Sequence, residues 1–309
     1  MYFSFHPFLR PMLWGQEQWI LSAYPNMEST VKDGLFAGKT LSELIAALGP
    51  ALLGHDLYER YGNEFPLLIK FIEAKMPLSI QVHPTDALAL KQGKGKVGKT
   101  EMWYALACDD DASLLSGLTA HLTPETYAQH VEDHSSVDDL ACYHPQEGDC
   151  FFLAAGRIHA IGAGCHLLEI QQSSDVTYRI YDYDRKDANG NRRELHTALA
   201  AESIDYTVLP DYQTRYERKL NAPMPLVQCP YFETTAYEVT DKVTIDWHNQ
   251  DRFLALIVTK GDGTLTIDGE AVKVQSGDTL LLPATTTKIE ATNIKQQATD
   301  KLTFVTATV

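Results

Sequence analysis

Along most of the chain, apolar and polar positions alternate in short runs, which predicts a protein built mainly from strands. The sharpest alternation is Leu78-Ser79-Ile80-Gln81-Val82-His83-Pro84. Ile80 and Val82 point to one side, Ser79, Gln81 and His83 to the other, and Pro84 ends the strand. Residues 66–72 form a nearly continuous apolar run, read as a buried strand. Lys70 interrupts it and needs either an exit to water or an anionic partner. Residues 148–161 read as a turn, a strand and a return. Two further runs follow, 167–175 and 176–185. In the second, Thr177, Arg179, Tyr181 and Tyr183 share one face if the segment is extended.

Helical spacing is confined to a few places. Thr40 and Glu43 form a capping box before Leu41, Leu44, Ile45 and Leu48, and Gly49-Pro50 stops that helix. Residues 85–90 predict a short helix. Thr123-Pro124 opens another with Thr123 as N-cap, and residues 194–204 read as a surface helix. Residues 1–25 are an opening strand and loop, with Trp14 a packed cap. The histidines at 121, 130, 134 and 144 read as surface residues.

Near residues 211–225 the chain becomes polar and proline-bearing. Beyond it lies a Thr- and Val-rich stretch with Gly turns such as Asp268-Gly269. The expected organisation is a catalytic domain over 1–220, with helical insertions, and a small β domain over 221–309. An internal repeat links the two. Gly148-Asp149-Cys150-Phe151-Phe152-Leu153 can be laid over Gly277-Asp278-Thr279-Leu280-Leu281-Leu282. His159 stands eleven residues after Gly148, and Lys288 eleven after Gly277. A Gly-Asp turn, an apolar strand and a later histidine is the second signature of the cupin barrel, so both halves read as jelly-roll modules. A protonated lysine has no lone pair for a metal, which makes the second module structural.

Composition narrows the function classes. The 309 residues suffice for one large core or two ordinary ones. A net charge of −15 argues against a nucleic-acid partner, while leaving room for a local basic pocket around a small anion. No stretch approaches the ~18 apolar residues of a membrane span, and residues 1–14 lack the pattern of a signal peptide. The five cysteines are scattered, without a CxxC pair. That suits reduced thiols in a cytoplasmic protein, acting as small core hydrophobes. The loop over 92–99 is glycine- and lysine-rich but lacks the Walker pattern.

The candidate chemistry gathers on three strands. Gln81 and His83 lie two apart on one polar face, Glu101 follows in Gly98-Lys99-Thr100-Glu101-Met102-Trp103-Tyr104, and His159 closes the later strand. A Gln, a Glu and two His make a mixed N/O site for a divalent ion such as zinc. Lys99, two residues before Glu101, faces the same way if that segment is extended.

Several blocks together, Tyr61-Gly62-Asn63-Glu64-Phe65-Pro66, Gln81-Val82-His83-Pro84, Gly156-Arg157-Ile158-His159 and Glu169-Ile170-Gln171-Gln172-Ser173-Ser174-Asp175, resemble type I mannose-6-phosphate isomerase in its short bacterial form. The resemblance covers nearly the whole chain. It implies a mainly β protein of two cupin-like jelly-roll modules with one zinc ion held by Gln81, His83, Glu101 and His159. It further implies an active-site arginine at Arg179, the lysine of a Lys-x-Glu pair at Lys99 and a pocket carboxylate at Glu169. The chain departs from the family in three ways. The helical insertion of long members is absent, Arg185 stands where they carry lysine, and Gln16 replaces a glycine after Trp14-Gly15.

The activity so implied interconverts mannose 6-phosphate and fructose 6-phosphate through a cis-enediol(ate). Arg179 would stabilise developing negative charge, Glu169 is the candidate base, and Lys99 and Arg185 are candidates for the phosphate, with Lys99 alternatively a catalytic group that helps ring opening. The expected partner is a small sugar phosphate, with the protein a monomer or homodimer, bound neither to nucleic acid nor to membrane. Two other readings keep the metal donors: a non-catalytic metal- or sugar-binding cupin acting as a sensor, and an iron cupin oxygenase. The sensor would not need Arg179 or Glu169 inside the pocket.

Overall fold

A computed structural model describes residues 1–133, 135–186, 189–294 and 300–309, so the expectation for His134 lies outside the described residues. The chain divides into two compact units. One gathers Met1–Phe8, Trp19–Leu68 and Arg215–Val309, and the other Leu9–Gln18 and Ile69–Thr214. A single cut near residue 220 therefore describes only one of the crossings. The reason is strand pairing: Phe3–His6 is antiparallel to Thr279–Leu282, with Phe3 opposite Leu281. The helices Leu41–Leu48, Pro50–Leu53 and His55–Tyr61 also belong to that first unit. The predicted capping box is present: Thr40 accepts from the Glu43 backbone and Glu43 accepts from the Thr40 N–H.

In the unit containing residues 69–214, one sheet runs Gln213–Thr214, Cys150–Leu153, Glu101–Cys108, Cys165–Gln172, Leu67–Ala74, Gly15–Leu21, Phe8–Met12. The other runs Tyr178–Tyr181, Ile80–Val82, His159–Ile161, Leu114–Leu118, Leu140–Tyr143. The apolar interior between them holds Ile72, Trp103, Ala105, Phe151 and Leu167 from the first, and Leu114 and Ile161 from the second. Trp14 is buried there, as the cap reading expects.

Ile80 and Val82 pack outside this interior. They join Tyr127 of helix Pro124–Glu132 and Ala200 of helix Thr197–Ser203. Both faces of the strand are thus covered. Its apolar side meets helices, so its polar side, with Gln81 and His83, turns inward. This inverts the usual arrangement of a half-exposed strand.

Trp14-Gly15 has a steric cause. Gly15 sits at φ +148, and a Cβ there would lie 2.0 Å from the Glu73 carbonyl oxygen. Gly15→Ala is expected to cost about 3 kcal/mol through strain and clash, read as a lowered denaturation midpoint. A change under about 1 kcal/mol would show that the turn relaxes.

The internal repeat is visible in the backbone. Gly148 and Gly277 have φ of +89 and +92. Asp149 Oδ2 and Asp278 Oδ2 each accept from the N–H three residues earlier, Gln146 and Gln275, both at 2.9 Å. The Gly148 and Gly277 N–H groups each donate across to the neighbouring strand, to Ala105 and Val258. His159 and Lys288 then open the strands His159–Ile161 and Lys288–Asn293. His159 is buried, while Lys288 is exposed and paired with Glu290 at 3.2 Å. The second module keeps the turn and loses the donor. All five cysteines are free. Cys150 and Cys165 are buried as core hydrophobes, but Cys142 is exposed.

Candidate metal centre and pocket

Two strand ladders build the site. In one sheet His159 and Arg179 both stand opposite Gln81, on its two neighbouring strands. In the other, Glu101 stands opposite Leu153 and Gln171, and Trp103 opposite Glu169. Side chains two apart on a strand share a face, so Glu101, Trp103, Glu169 and Gln171 meet within one layer. His83, just past the strand Ile80–Val82, is fixed by donation from the Gly156 N–H to its carbonyl at 2.8 Å.

His83, Glu101 and His159 bring one donor atom each to within 4.8 Å of one another, and all three are buried. Gln81 joins them, its amide 3.2 Å from His159 Nε2. The outer contacts set the tautomers. His83 Nδ1 donates to Val176 O at 2.8 Å and His159 Nδ1 to Arg157 O at 2.8 Å. Both Nε2 lone pairs therefore face inward, as metal-binding histidines require. Burial, followed by the nearby Lys99 charge, keeps both imidazoles neutral, His83 well below its ordinary value and His159 at about 3.

Four acceptors thus confront one another. Glu101 Oε1 lies 3.4 Å from His159 Nε2 and has no hydrogen-bond donor among the described residues. Glu101 Oε2 lies 3.6 Å from His83 Nε2. Buried lone pairs at such distances repel unless a cation sits between them. The Lys99 ammonium does so here, against Glu101 Oε2 and 3.2 Å from His83 Nε2. Burial and the Glu169 charge still push the Glu101 carboxyl up to about 7. The donor set fits a divalent metal: two neutral imidazoles, one carboxylate and one amide.

Beside these donors opens a pocket of about 280 Å³, lined by Gln81, Lys99, Glu169 and Arg179 together with Arg10, Glu17, Lys70, Asp175 and Arg193. Lys70, the interruption in the apolar run, finds its anion: Nζ is 3.1 Å from Glu169 Oε1. Trp103 Nε1 donates to Glu169 Oε2 at 3.0 Å. Burial pushes the Glu169 carboxyl up, but Lys70 and then Lys99 outweigh it and hold it at about 2. Arg10 pairs with Asp175 at 3.0 Å and Glu17 at 3.4 Å.

Arg185 does not line this pocket. It donates to Asp182 and to Pro77 O, and its guanidinium lies over the Tyr183 ring. Arg193, which spacing gave no reason to choose, lines the pocket. Its only sequence signal is the cationic pair Arg192-Arg193 ahead of a predicted helix. A larger groove of about 1250 Å³ in the same unit includes none of the candidate residues.

Comparison with known proteins gives the family. Residues 13–112 match the family described as phosphomannose isomerase type I, catalytic domain, and residues 224–293 the mannose-6-phosphate isomerase cupin domain. Mannose-6-phosphate isomerase ManA of Bacillus subtilis (strain 168) is 37% identical over 270 residues, covering 86% of this chain and 83% of that one. Mannose-6-phosphate isomerase of Streptococcus mutans is 36% identical over 278 residues, covering 87% and 83%. Among solved structures, the mannose 6-phosphate isomerase from Bacillus subtilis matches with TM-score 0.87 at 28% identity, over 100% of this chain and 99% of that one. A mutant phosphomannose isomerase from Salmonella typhimurium, at 15% identity and TM-score 0.81 over 99% and 98%, shares the fold. On the strength of these relatives, the chain belongs to the type I phosphomannose isomerase family.

Proposed function

We propose that the protein is a zinc-dependent aldose–ketose isomerase that interconverts D-mannose 6-phosphate and D-fructose 6-phosphate through a cis-enediol(ate). The observation that carries this reading is the convergence of His83, Glu101 and His159, with Gln81 beside them, next to a pocket lined by Arg179, Lys99 and Glu169. A sensor needs the donors but not those three cationic and acidic groups. Their place in the pocket favours catalysis.

Gln81, His83, Glu101 and His159 would hold the metal. When bound, zinc supplies a Lewis acid for the oxygen that gains negative charge as the carbon acid ionises. Arg179 stands in register with Gln81, so its fixed positive charge acts on the same region. Lys99, between the donors and the pocket, is placed to donate to a sugar oxygen during ring opening. At about 2, the Glu169 carboxyl is a weak base. Its contacts suit a positioning role instead. It holds Lys70 charged and keeps Lys70 and Lys99 in place, and its bond from Trp103 locks it to the sheet.

The test is conversion of mannose 6-phosphate to fructose 6-phosphate by purified protein before and after EDTA, with zinc added back. Turnover should disappear with chelation and return with zinc. A folded, zinc-loaded sample without turnover would overturn the isomerase and favour the sensor.

A further inference from the structure

The pocket's charges are not evenly matched. Arg10 is paired with Asp175 and Glu17, Lys70 with Glu169, and Lys99 with Glu101. Among the described residues, the excess lies at the end where Arg179 and Arg193, with Arg185 just outside the pocket, meet two carboxylates, buried Asp182 and exposed Glu194. Asp182 is buried and accepts from both Arg185 and Arg193. Arg193 Nε reaches Asp182 Oδ2 at 2.7 Å and its Nη2 reaches Oδ1, a two-pronged hold that fixes the guanidinium plane. Arg179 Nη1 donates to Glu194 O at 2.8 Å. Its Nε is buried and, among the described residues, has no acceptor. Burial, together with repulsion from Arg193 and Arg185, lowers its proton affinity, as a cation short of counter-charge must show.

A net positive end in a chain of net charge −15, with an orphaned guanidinium N–H, calls for an anion. Resting on the isomerase reading, we infer that Arg193 seats the substrate's phosphate, with Asp182 as the positioning residue that aims it. The polarity of the pocket follows. Carbons 1 and 2 lie toward Gln81 and Lys99, and the phosphate lies toward Arg193, both bordering Arg179. Arg185 Nη2 shares Asp182 Oδ1 with Arg193, and Arg185 also donates to the Asp182 and Pro77 carbonyls, so it anchors the clamp from outside the pocket. Selectivity for a phosphorylated sugar over the free hexose then rests on this clamp, apart from the metal donors.

The experiment uses the full-length, zinc-loaded protein and two readouts: steady-state kinetics with mannose 6-phosphate, and calorimetric binding of inorganic phosphate. Losing one charge-assisted contact should raise KM and the phosphate Kd together, by about 10- to 100-fold, with kcat changed less than about threefold, in Arg193→Gln. Arg193→Lys should recover part of the affinity by restoring the charge without the fork. Asp182→Asn should raise the same two constants by a smaller factor. A merely structural role would instead lower melting temperature and kcat while leaving the ratio of phosphate affinities unchanged. Phosphate binding to Arg193→Gln as tight as to the parent protein overturns the seat, even where turnover is normal. A parent protein that binds phosphate through Arg193 but does not isomerise the sugar overturns the reaction and upholds the seat.

Discussion

His83→Ala is expected to give a folded protein that retains no metal after dialysis and turns over substrate at least roughly a thousandfold more slowly. The imidazole is one of the four donors proposed for the metal, and among the described residues the next group at its Nε2 is the Lys99 ammonium, which has no lone pair when charged. Lewis-acid stabilisation amounts to several kcal/mol, and each 1.36 kcal/mol is tenfold in rate, so about 4 kcal/mol gives the predicted loss. Added zinc should not restore it, unlike the chelated parent. Metal content by atomic absorption, turnover and thermal melting separate the causes. Stoichiometric zinc and a rate within tenfold of the parent would remove His83 from the donor set.

The convergence of Gln81, His83, Glu101 and His159 was legible in the sequence because strand geometry forces them together. Alternation put Gln81 and His83 on one face, and parity put Lys99 with Glu101, whichever way the sheets packed. The direction of that face was not legible. It turns inward because helices Pro124–Glu132 and Thr197–Ser203 cover Ile80 and Val82, and nothing in the local pattern records a covering helix more than forty residues away. Lys70 announced a partner without naming it. Its partner, Glu169, lies on a strand about a hundred residues further on, fixed by the register of Trp103 opposite Glu169. Arg193 was missed for the same reason. Its position depends on Asp182, eleven residues earlier across a turn, and no period links the two. The interlaced division of the chain was likewise invisible, since pairing of Phe3 with Leu281 spans nearly its full length.

Lys70→Met is expected to destabilise the protein by about 3–5 kcal/mol at pH 7, the range for removing one partner of a buried pair. Burial pulls the ammonium's proton affinity down, yet Glu169, Glu17 and Asp175 together raise it above its ordinary value, so the lysine is charged in the folded state. The methionine fills similar space and leaves the Glu169 carboxylate buried with Lys99 at 3.6 Å as its remaining cation. The pH dependence reports on the buried carboxylates that face Lys70, Glu169 first and Glu101 with it. In the parent protein Glu169 sits at about 2, below its ordinary 4.5, so its stabilisation is complete above 4.5 and is lost only as pH falls through about 2. Between pH 7 and 5 the parent gains or loses nothing from this group. In the variant only Lys99 and Trp103 oppose burial, so the Glu169 value rises, and protonation then removes the buried charge. The stability gap between the two proteins should narrow as pH drops from 7 to 5. Urea unfolding at both values, in EDTA so that metal release does not enter, measures it. A gap that stays constant with pH, or is under about 1 kcal/mol at pH 7, would mean that Glu169 is compensated by some route other than Lys70, and that the lysine's place in the apolar strand owes nothing to the pair.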